Sequence, residues 1–437
     1  MSNLKVGFGR AAITPKTAVP LGGYGNTSKR MSETVLDDLM ATCVAVTDET
    51  GETLLLMSMD LINSSRESLI RPVIAEATGI PVDRIMLAAT HTHSGPDSIS
   101  PLQCIADWLP YCAAQAAEAA KAALADRTLA EVYVGRTNTV GLNFVRHYLL
   151  SDGSYGGDNF GDFKTNTIVD HAAPNDPQLQ VIKFTRDGKK DILMVNWQAH
   201  PTVTGGMAKT DMSADFIGST REYIETTTDD LFIYFTGAAG NHNCKSRIVA
   251  ETPTTDRVEF GKLLGGFVLE ARKNLVKQEA GCIKTVQLVY EGQVNHSMEE
   301  KLAEAQEVRE LHQTEGREAG NILARKYGFS SVYHAGAVIR RSKFEQIRAV
   351  TLNAYRIGDL SFVAAPYEMF AAHGTYIKEN SPFPMTFVVS CCNGANSYLP
   401  TIQAYNYGCY ESHNSNFVPG TGEELAEKFV SLLEELA

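Results

Sequence analysis

No Cys-x-x-Cys pair occurs among the 437 residues, although the chain holds eight cysteines. That removes the zinc ribbons and dithiol redox motifs built on this spacing. Cys391 and Cys392 are adjacent, follow the strand-like TFVV, and read as packing residues rather than ligands. The N-terminus, MSNLKVGFGRAAITP, lacks the apolar core of a signal peptide, and no apolar run is long enough to cross a bilayer. Scattered thiols without such a leader fit a reducing compartment, so the expectation is a cytoplasmic protein without stable membrane insertion. Basic charge is also in the minority. Lys plus Arg total 39 against 51 for Asp plus Glu, a net charge of -12, and no basic run interrupts that balance. This argues against nucleic acid as a partner. No Pro- or Ser-rich linker, repeat or low-complexity tract divides the chain, so one unit over 1–437 is the simplest organisation.

What the chain does have is apolar content, 44% of residues, enough for a substantial core. Short β-rich runs recur: TLLLMSM, RIMLAAT, EVYVG, DILMVNW, LFIYFTG, TVQLVYEG, VTLNAYRI, LSFVAA and TFVVS. Between several of them lie helical patterns, the clearest being the alanine-rich 107–127. SRESLIRPVIAEATG, ADFIGSTREYIETTT, EFGKLLGGFVLEARKNLVKQ and EELAEKFVSLLEELA also read as helices. The alternation predicts an α/β protein, mixed β-sheet layers flanked by helices. EVYVG to DILMVNW passes without a helix between strands, which argues against a doubly wound parallel sheet.

A charged helical excursion at about 295–327, with a break near Gly316, reads either as a solvated hairpin or as a cap over a site. Residues 151–177 form the longest loop-like stretch, and a long loop in a compact unit is often functional. The chemistry concentrates at strand ends. His91 and His93, in ATHTHSGPDS, follow RIMLA and point to one face if extended. His200 follows DILMVNW in the same manner, and Glu368 follows LSFVAA in APYEMF. A metal needs nitrogen and oxygen ligands converging from such rigid positions, although Glu368 also suits the first turn of a helix. Tyr398, Tyr405, Tyr407 and Tyr410 crowd one segment, where they either pack a loop, donate hydrogen bonds or ligate as phenolates.

THTHSGP (90–96), the His of NWQAHPTV, SADFIG (213–218), FTGAAGN (235–241), the Glu of APYEMF and YLPTIQAYNYGCYE (398–411) occur in an order that resembles the neutral/alkaline ceramidase family. GFGRAAITP and LGGYG are similar to that family's start, and the likeness runs from about Val6 to Glu411. It is to a short branch without the C-terminal domain of secreted ceramidases. The resemblance implies a ceramidase-catalytic-domain-like fold, a zinc ion (Zn2+), and His91, His200, Glu368 and Tyr398 as its ligands. It further implies His93 as an acid/base residue, with Arg146 and Tyr410 facing the reacting group; pattern alone does not separate Tyr410 from Tyr407. Asp215 would be structural, orienting His200 from behind. The chain departs from the family at GNHNC, where Asn241 and Asn243 replace an aspartate and the active-site serine, and at PYEMF, which replaces Pro-Gly-Glu.

These observations lead to the expectation of a zinc-dependent hydrolase that cleaves an amide (N-acyl) or related bond of a small substrate through metal-activated water. The lost serine also admits a metal-dependent lyase or glycoside-cleaving enzyme on a sugar-like substrate. A third reading is a metal-stabilised binding protein without catalysis. The pattern specifies no oligomeric state.

Overall fold

Two β-sheets stacked face to face organise the computed structural model, which describes residues 4–25 and 30–437. The larger sheet contains β1 (Lys5–Ala12), β2 (Met40–Thr47), β3 (Thr53–Met59), β4 (Ile85–Ala89), β5 (Thr128–Asn138), β6 (Gln178–Arg186), β7 (Ile192–Trp197), β8 (Leu231–Thr236) and β9 (Val276–Gln278). Their spatial order is β8-β7-β6-β5-β1-β2-β3-β4, with β9 beside β5. The smaller sheet runs β10 (Ile283–Gln293), β11 (Ile347–Ile357), β12 (Leu360–Ala364), β13 (Met385–Val389). Both sheets are mixed. The pairs β3/β4, β7/β8 and β12/β13 are parallel, whereas β1/β2, β5/β6 and β10/β11 are antiparallel.

Burial on both faces explains why the central strands read as continuous apolar runs. Val6, Val44, Met86 and Phe184 of the larger sheet meet Tyr355, Phe362 and Phe387 of the smaller one in a shared core. The outer face of the larger sheet is covered by α1 (Glu67–Thr78), α2 (Gln103–Ala125), α3 (Asp215–Thr227) and α4 (Arg257–Lys273). An excursion follows as α5 (Leu302–Glu315), α6 (Arg317–Lys326) and α7 (Val332–Arg341). α8 (Ala371–Asn380) and, after the short α9 (Ile402–Tyr407) and α10 (Tyr410–Asn414), α11 (Thr421–Leu436) cover the smaller sheet. The architecture is the expected one, mixed sheets flanked by helices.

Local sequence explains the contacts. A Cβ at Gly7 or Gly9 of β1 would lie 2.1 Å from a carbonyl oxygen of α2, Ala123 or Ala119 respectively. Glycine below and alanine above therefore let the helix backbone rest directly on the strand. β1, β2 and β6 were not anticipated from the pattern, and NLVKQ, expected as the end of a helix, contributes β9 because the chain leaves α4 at Asn274. The excursion breaks at Gly316 (φ 95°) as expected, but it continues through α7, so that it closes its own apolar cluster around Val308, Ala324, Phe329 and Val338. Among the described residues no helix is long and apolar enough to cross a membrane.

The carboxyl ends of the parallel pairs collect at one end of the sandwich, the usual place for a site in mixed and parallel sheets. Two bonds between the sheets fix that end, Ala89 N donating to Cys391 O (3.0 Å) and Ser390 N to Thr236 O (2.9 Å), and the Thr236 hydroxyl donates to Thr90 O (2.7 Å) between the two edge strands of the larger sheet.

Candidate metal centre

Three strand ends and one two-residue bridge deliver the candidate ligands. His91 and His93 follow β4, His200 follows β7, and Glu368 follows β12. Glu368 and Tyr398 are register partners in a short parallel pair, so their side chains leave the same face. The Glu368 Oε2 atom lies 3.3 Å from His91 Nε2 and 3.2 Å from His200 Nε2. His93 Nε2 is 3.4 Å from His91 Nε2. The ligating atoms of the three histidines lie within 4.8 Å of one another. Four nitrogen and oxygen atoms therefore face a common centre.

The far side of the ring fixes the tautomer of His91 and of His200. His91 Nδ1 lies 2.5 Å from Ile62 O, and His200 Nδ1 is 2.9 Å from both Ala239 O and His242 O. A carbonyl accepts only, so Nδ1 carries a proton and the neutral ring presents its Nε2 lone pair inward, the arrangement found behind metal-bound imidazoles. Asp215 was expected to orient His200. Its carboxylate instead accepts from the backbone of Val203, Thr204 and Phe216, holding the turn after His200, because the two carbonyls already occupy Nδ1. Cys391, read as packing only, also stands behind His91, with Sγ 3.4 Å from its Nδ1.

Strain is stored nearby. His91 (φ 68°), Asp215 (φ 58°), Cys391 (φ 50°) and Ser397 (φ 69°) all adopt left-handed backbone, each next to or within the ligand set. Such conformations cost about 1–3 kcal/mol apiece and persist where the surroundings over-determine them.

Burial sets the proton affinities in opposite directions. It lowers His200 to about 4, assisted by the charge of Arg146 and opposed by Glu368. Burial, then the neighbouring His91 and His200, pull His93 well below the usual imidazole range. Burial also lowers His91, but Cys391 and Glu368 outweigh it and raise the ring on balance. Burial pushes Glu368 up, yet His91 and His200 hold it well below the usual carboxylate range.

Above the centre lies a cavity of ≈ 460 Å³ lined by His93, Arg146, Tyr398 and Tyr410 among others. All three residues expected to face the reacting group are thus brought to it. His93 packs edge-on to Tyr24, 5.1 Å between centroids, and its Nδ1 has no hydrogen-bond partner among the described residues. Gly23, at φ 102°, lets the backbone pass over the ring, since a Cβ there would sit 2.4 Å from that nitrogen. Arg146 Nε donates to Glu411 Oε1 at 2.6 Å and Nη2 to Gly240 O at 3.0 Å, and the guanidinium lies 5.6 Å from the Tyr398 ring centroid. Glu411 also receives His147 Nε2 at 2.7 Å, while His147 Nδ1 meets the Tyr407 hydroxyl at 2.7 Å.

The two tyrosines left unseparated by pattern therefore differ: Tyr410 lines the cavity and Tyr407 stands behind it. Asn243, beside His200, also lines the cavity, whereas Asn241 accepts from Ala371 N and is structural. Ser94 is fully buried and away from the cavity lining. Sequence reasoning missed Glu411 and His147, although each adjoins a residue it had singled out, Tyr410 and Arg146.

The fold is similar to that of neutral ceramidase. The crystal structure of the enzyme from Pseudomonas aeruginosa superposes with a TM-score of 0.72 at 17% identity, over 100% of this chain and 75% of that one. A ceramidase complexed with C2 gives the same values. At this identity the likeness is one of fold. No family model and no curated protein sequence matches the chain.

Proposed function

We propose that this chain is a zinc-dependent hydrolase that cleaves an amide (N-acyl) or related bond of a small substrate. The reading rests on the convergence of His91 Nε2 and His200 Nε2 on Glu368 Oε2 beneath a cavity that also holds His93, Arg146 and Tyr410. The ceramidase-like fold supports it. The residues fit a metal: two imidazoles with fixed tautomers, a carboxylate and, from the register partner of Glu368, the Tyr398 phenol. A zinc ion held there would supply Lewis-acid activation of water and of the substrate carbonyl near neutral pH.

The chain's own groups would do the rest. Hydrolysis adds the oxygen of water to the acyl carbon, breaks the C–N bond and returns a proton to the leaving nitrogen. His93 is kept neutral by burial and by its neighbours, so it is available to take the water's proton and return it to the amine. Arg146, fixed by Glu411 and Gly240, and the Tyr410 hydroxyl face the developing negative charge on the acyl oxygen. A serine nucleophile is not required: Asn243 lines the cavity at the position where ceramidases carry serine, and Ser94 does not reach it. We read the full chain as one catalytic unit, with α5 to α7 as its cap, since Arg317 and Tyr333 close the cavity from that side. Metal analysis of the purified protein, followed by chelation and turnover of a panel of N-acyl compounds, tests the proposal. Metal-dependent release of a free amine is the expected result. Full activity after removal of every bound metal would overturn it, and release of an unsaturated product would favour elimination.

A further inference from the structure

The walls of the cavity differ in chemistry from its floor. The floor holds the candidate ligands, and three arginines reach the same cavity from three separate elements. Arg146 comes from below, Arg247 from the segment after Asn243, and Arg317 from the start of α6. Arg146 is matched by Glu411 at 2.6 Å. Arg247 reaches Asp158 only at 3.4 Å, with both side chains about half exposed, so that contact neutralises little. Arg317 is exposed and, among the described residues, makes no ion pair. Among the described residues Asp158 is the single acidic side chain of the lining. An adjoining cavity that shares Arg247 and Asn159 adds Arg325.

On a chain of net charge -12, three arginines against one carboxylate at one concave opening are a local excess of positive charge. A cleft lined by one sign of charge focuses the field and raises the local concentration of the opposite ion. The apolar side of the comparison is equally informative. Among the described residues Met207 is the only aliphatic side chain lining the cavity, beside glycines, tyrosines, Thr202 and Asn243. A long alkyl chain buried there would gain little, since pockets for such groups are walled by hydrophobic side chains.

We infer that the substrate is a hydrophilic N-acyl compound carrying an anionic group, bound by Arg247 and Arg317 at the cavity wall, with its amide over the ligand set. The inference rests on the proposed hydrolase reading for the position of the amide, and on the arginines alone for the anion. Planar bidentate recognition by arginine favours carboxylate, and phosphate and sulfate share the same chemistry.

N-hexanoylglycine and N-hexanoylethanolamine form a matched pair that differs in carboxylate against hydroxymethyl. Calorimetric binding of each to the metal-stripped protein reads the anion site without a metal that would itself attract carboxylate. The glycine conjugate is expected to bind about tenfold tighter at low ionic strength, with the preference shrinking as salt is added. In the double variant R247Q/R317Q the preference should fall roughly to parity, because both guanidinium groups are lost from side chains exposed enough to leave the core untouched. Equal binding of the two compounds, binding of neither, or a preference unchanged in the double variant would overturn the inference. Turnover by the zinc-loaded protein separates this from the underlying reading. A metal-dependent amidase that favours the ethanolamide sinks the anion site alone, whereas an anion preference without metal-dependent turnover sinks the hydrolase alone. Replacing N-hexanoylglycine by its phosphonate and sulfonate analogues then distinguishes the anions.

Discussion

His91, His93 and His200 form one group of ligating atoms within 4.8 Å of one another, and His147, Cys409 and Glu411 form another. Both are buried at the same end of the sheets, and Arg146 adjoins the two. In the first group the Nε2 atoms of His91 and His200 turn lone pairs toward Glu368, with their protons committed to carbonyls on the far side. In the second every atom is already matched. His147 is held between Tyr407 and Glu411, Glu411 between His147 and Arg146, and Cys409 Sγ accepts from Ser412 N at 3.4 Å. Proximity of donors is therefore not what makes a metal site; uncommitted lone pairs converging on one point are. The second group is a support that aims Arg146.

The largest effect that would break this contrast comes from the first group. His91→Ala and Glu368→Ala are expected to lose bound metal and to lower turnover by more than about 10⁴-fold, beyond what one proton-transferring group supplies. Metal content by elemental analysis, together with amide hydrolysis, checks it; either variant keeping a full equivalent would remove that residue from the ligand set. His93→Gln should retain metal and lose about 10²–10³-fold in kcat with little change in KM, the signature of a group that moves a proton. A parallel loss of metal would instead make His93 a ligand.

Glu411→Gln probes the support. It should keep its metal but lower kcat/KM by about 10–100-fold, the range for partners that orient a functional group. It should also cost about 3 kcal/mol of stability, since Arg146 and His147 lose a buried charge partner. The same carboxylate shapes the acid limb of the stability curve. Burial raises its proton affinity, but His147 and Arg146 outweigh that and bring it to about 2. A depressed carboxylate contributes stability that is fully present above its unfolded value, near 4.5, and is lost as pH falls toward 2. Denaturant titrations across that window should therefore show a flatter pH dependence in Glu411→Gln than in the parent chain. Identical slopes would mean that the carboxylate is not held ionised by the support.

Legibility in sequence follows the same division. Candidate ligands at strand ends announce themselves, because an apolar run followed by a histidine or glutamate is a local pattern; the convergence of His91, His200 and Glu368 is foreshadowed in this way. Glu411 was not, since its partner Arg146 lies 265 residues away and no local spacing records that contact. Among the elements, apolar strands such as β3, β7 and β13 could be read directly. β1 could not, because Gly7 and Gly9 dilute its pattern for a reason that lies in α2, more than a hundred residues on. The helical excursion was half legible: Gly316 marks its break, yet α7 mixes polar and apolar residues until the cluster it completes is known.

The smallest expected effect is the most direct test of the support reading. Cys409 is the one thiol of the second group, and a thiolate there would be the natural soft ligand. Its sulfur, however, caps the start of α10, and burial, joined by the charge of Glu411, pushes the thiol's proton affinity well up, which disfavours a thiolate. A cap needs an acceptor and not a ligand, so Cys409→Ser, which keeps an oxygen to accept from Ser412 N, should cost about 1 kcal/mol or less. Metal stoichiometry and kcat should match the parent within error. If Cys409→Ser instead loses an equivalent of metal while His91→Ala retains one, the second group is the binding site and the assignment of the two clusters is reversed.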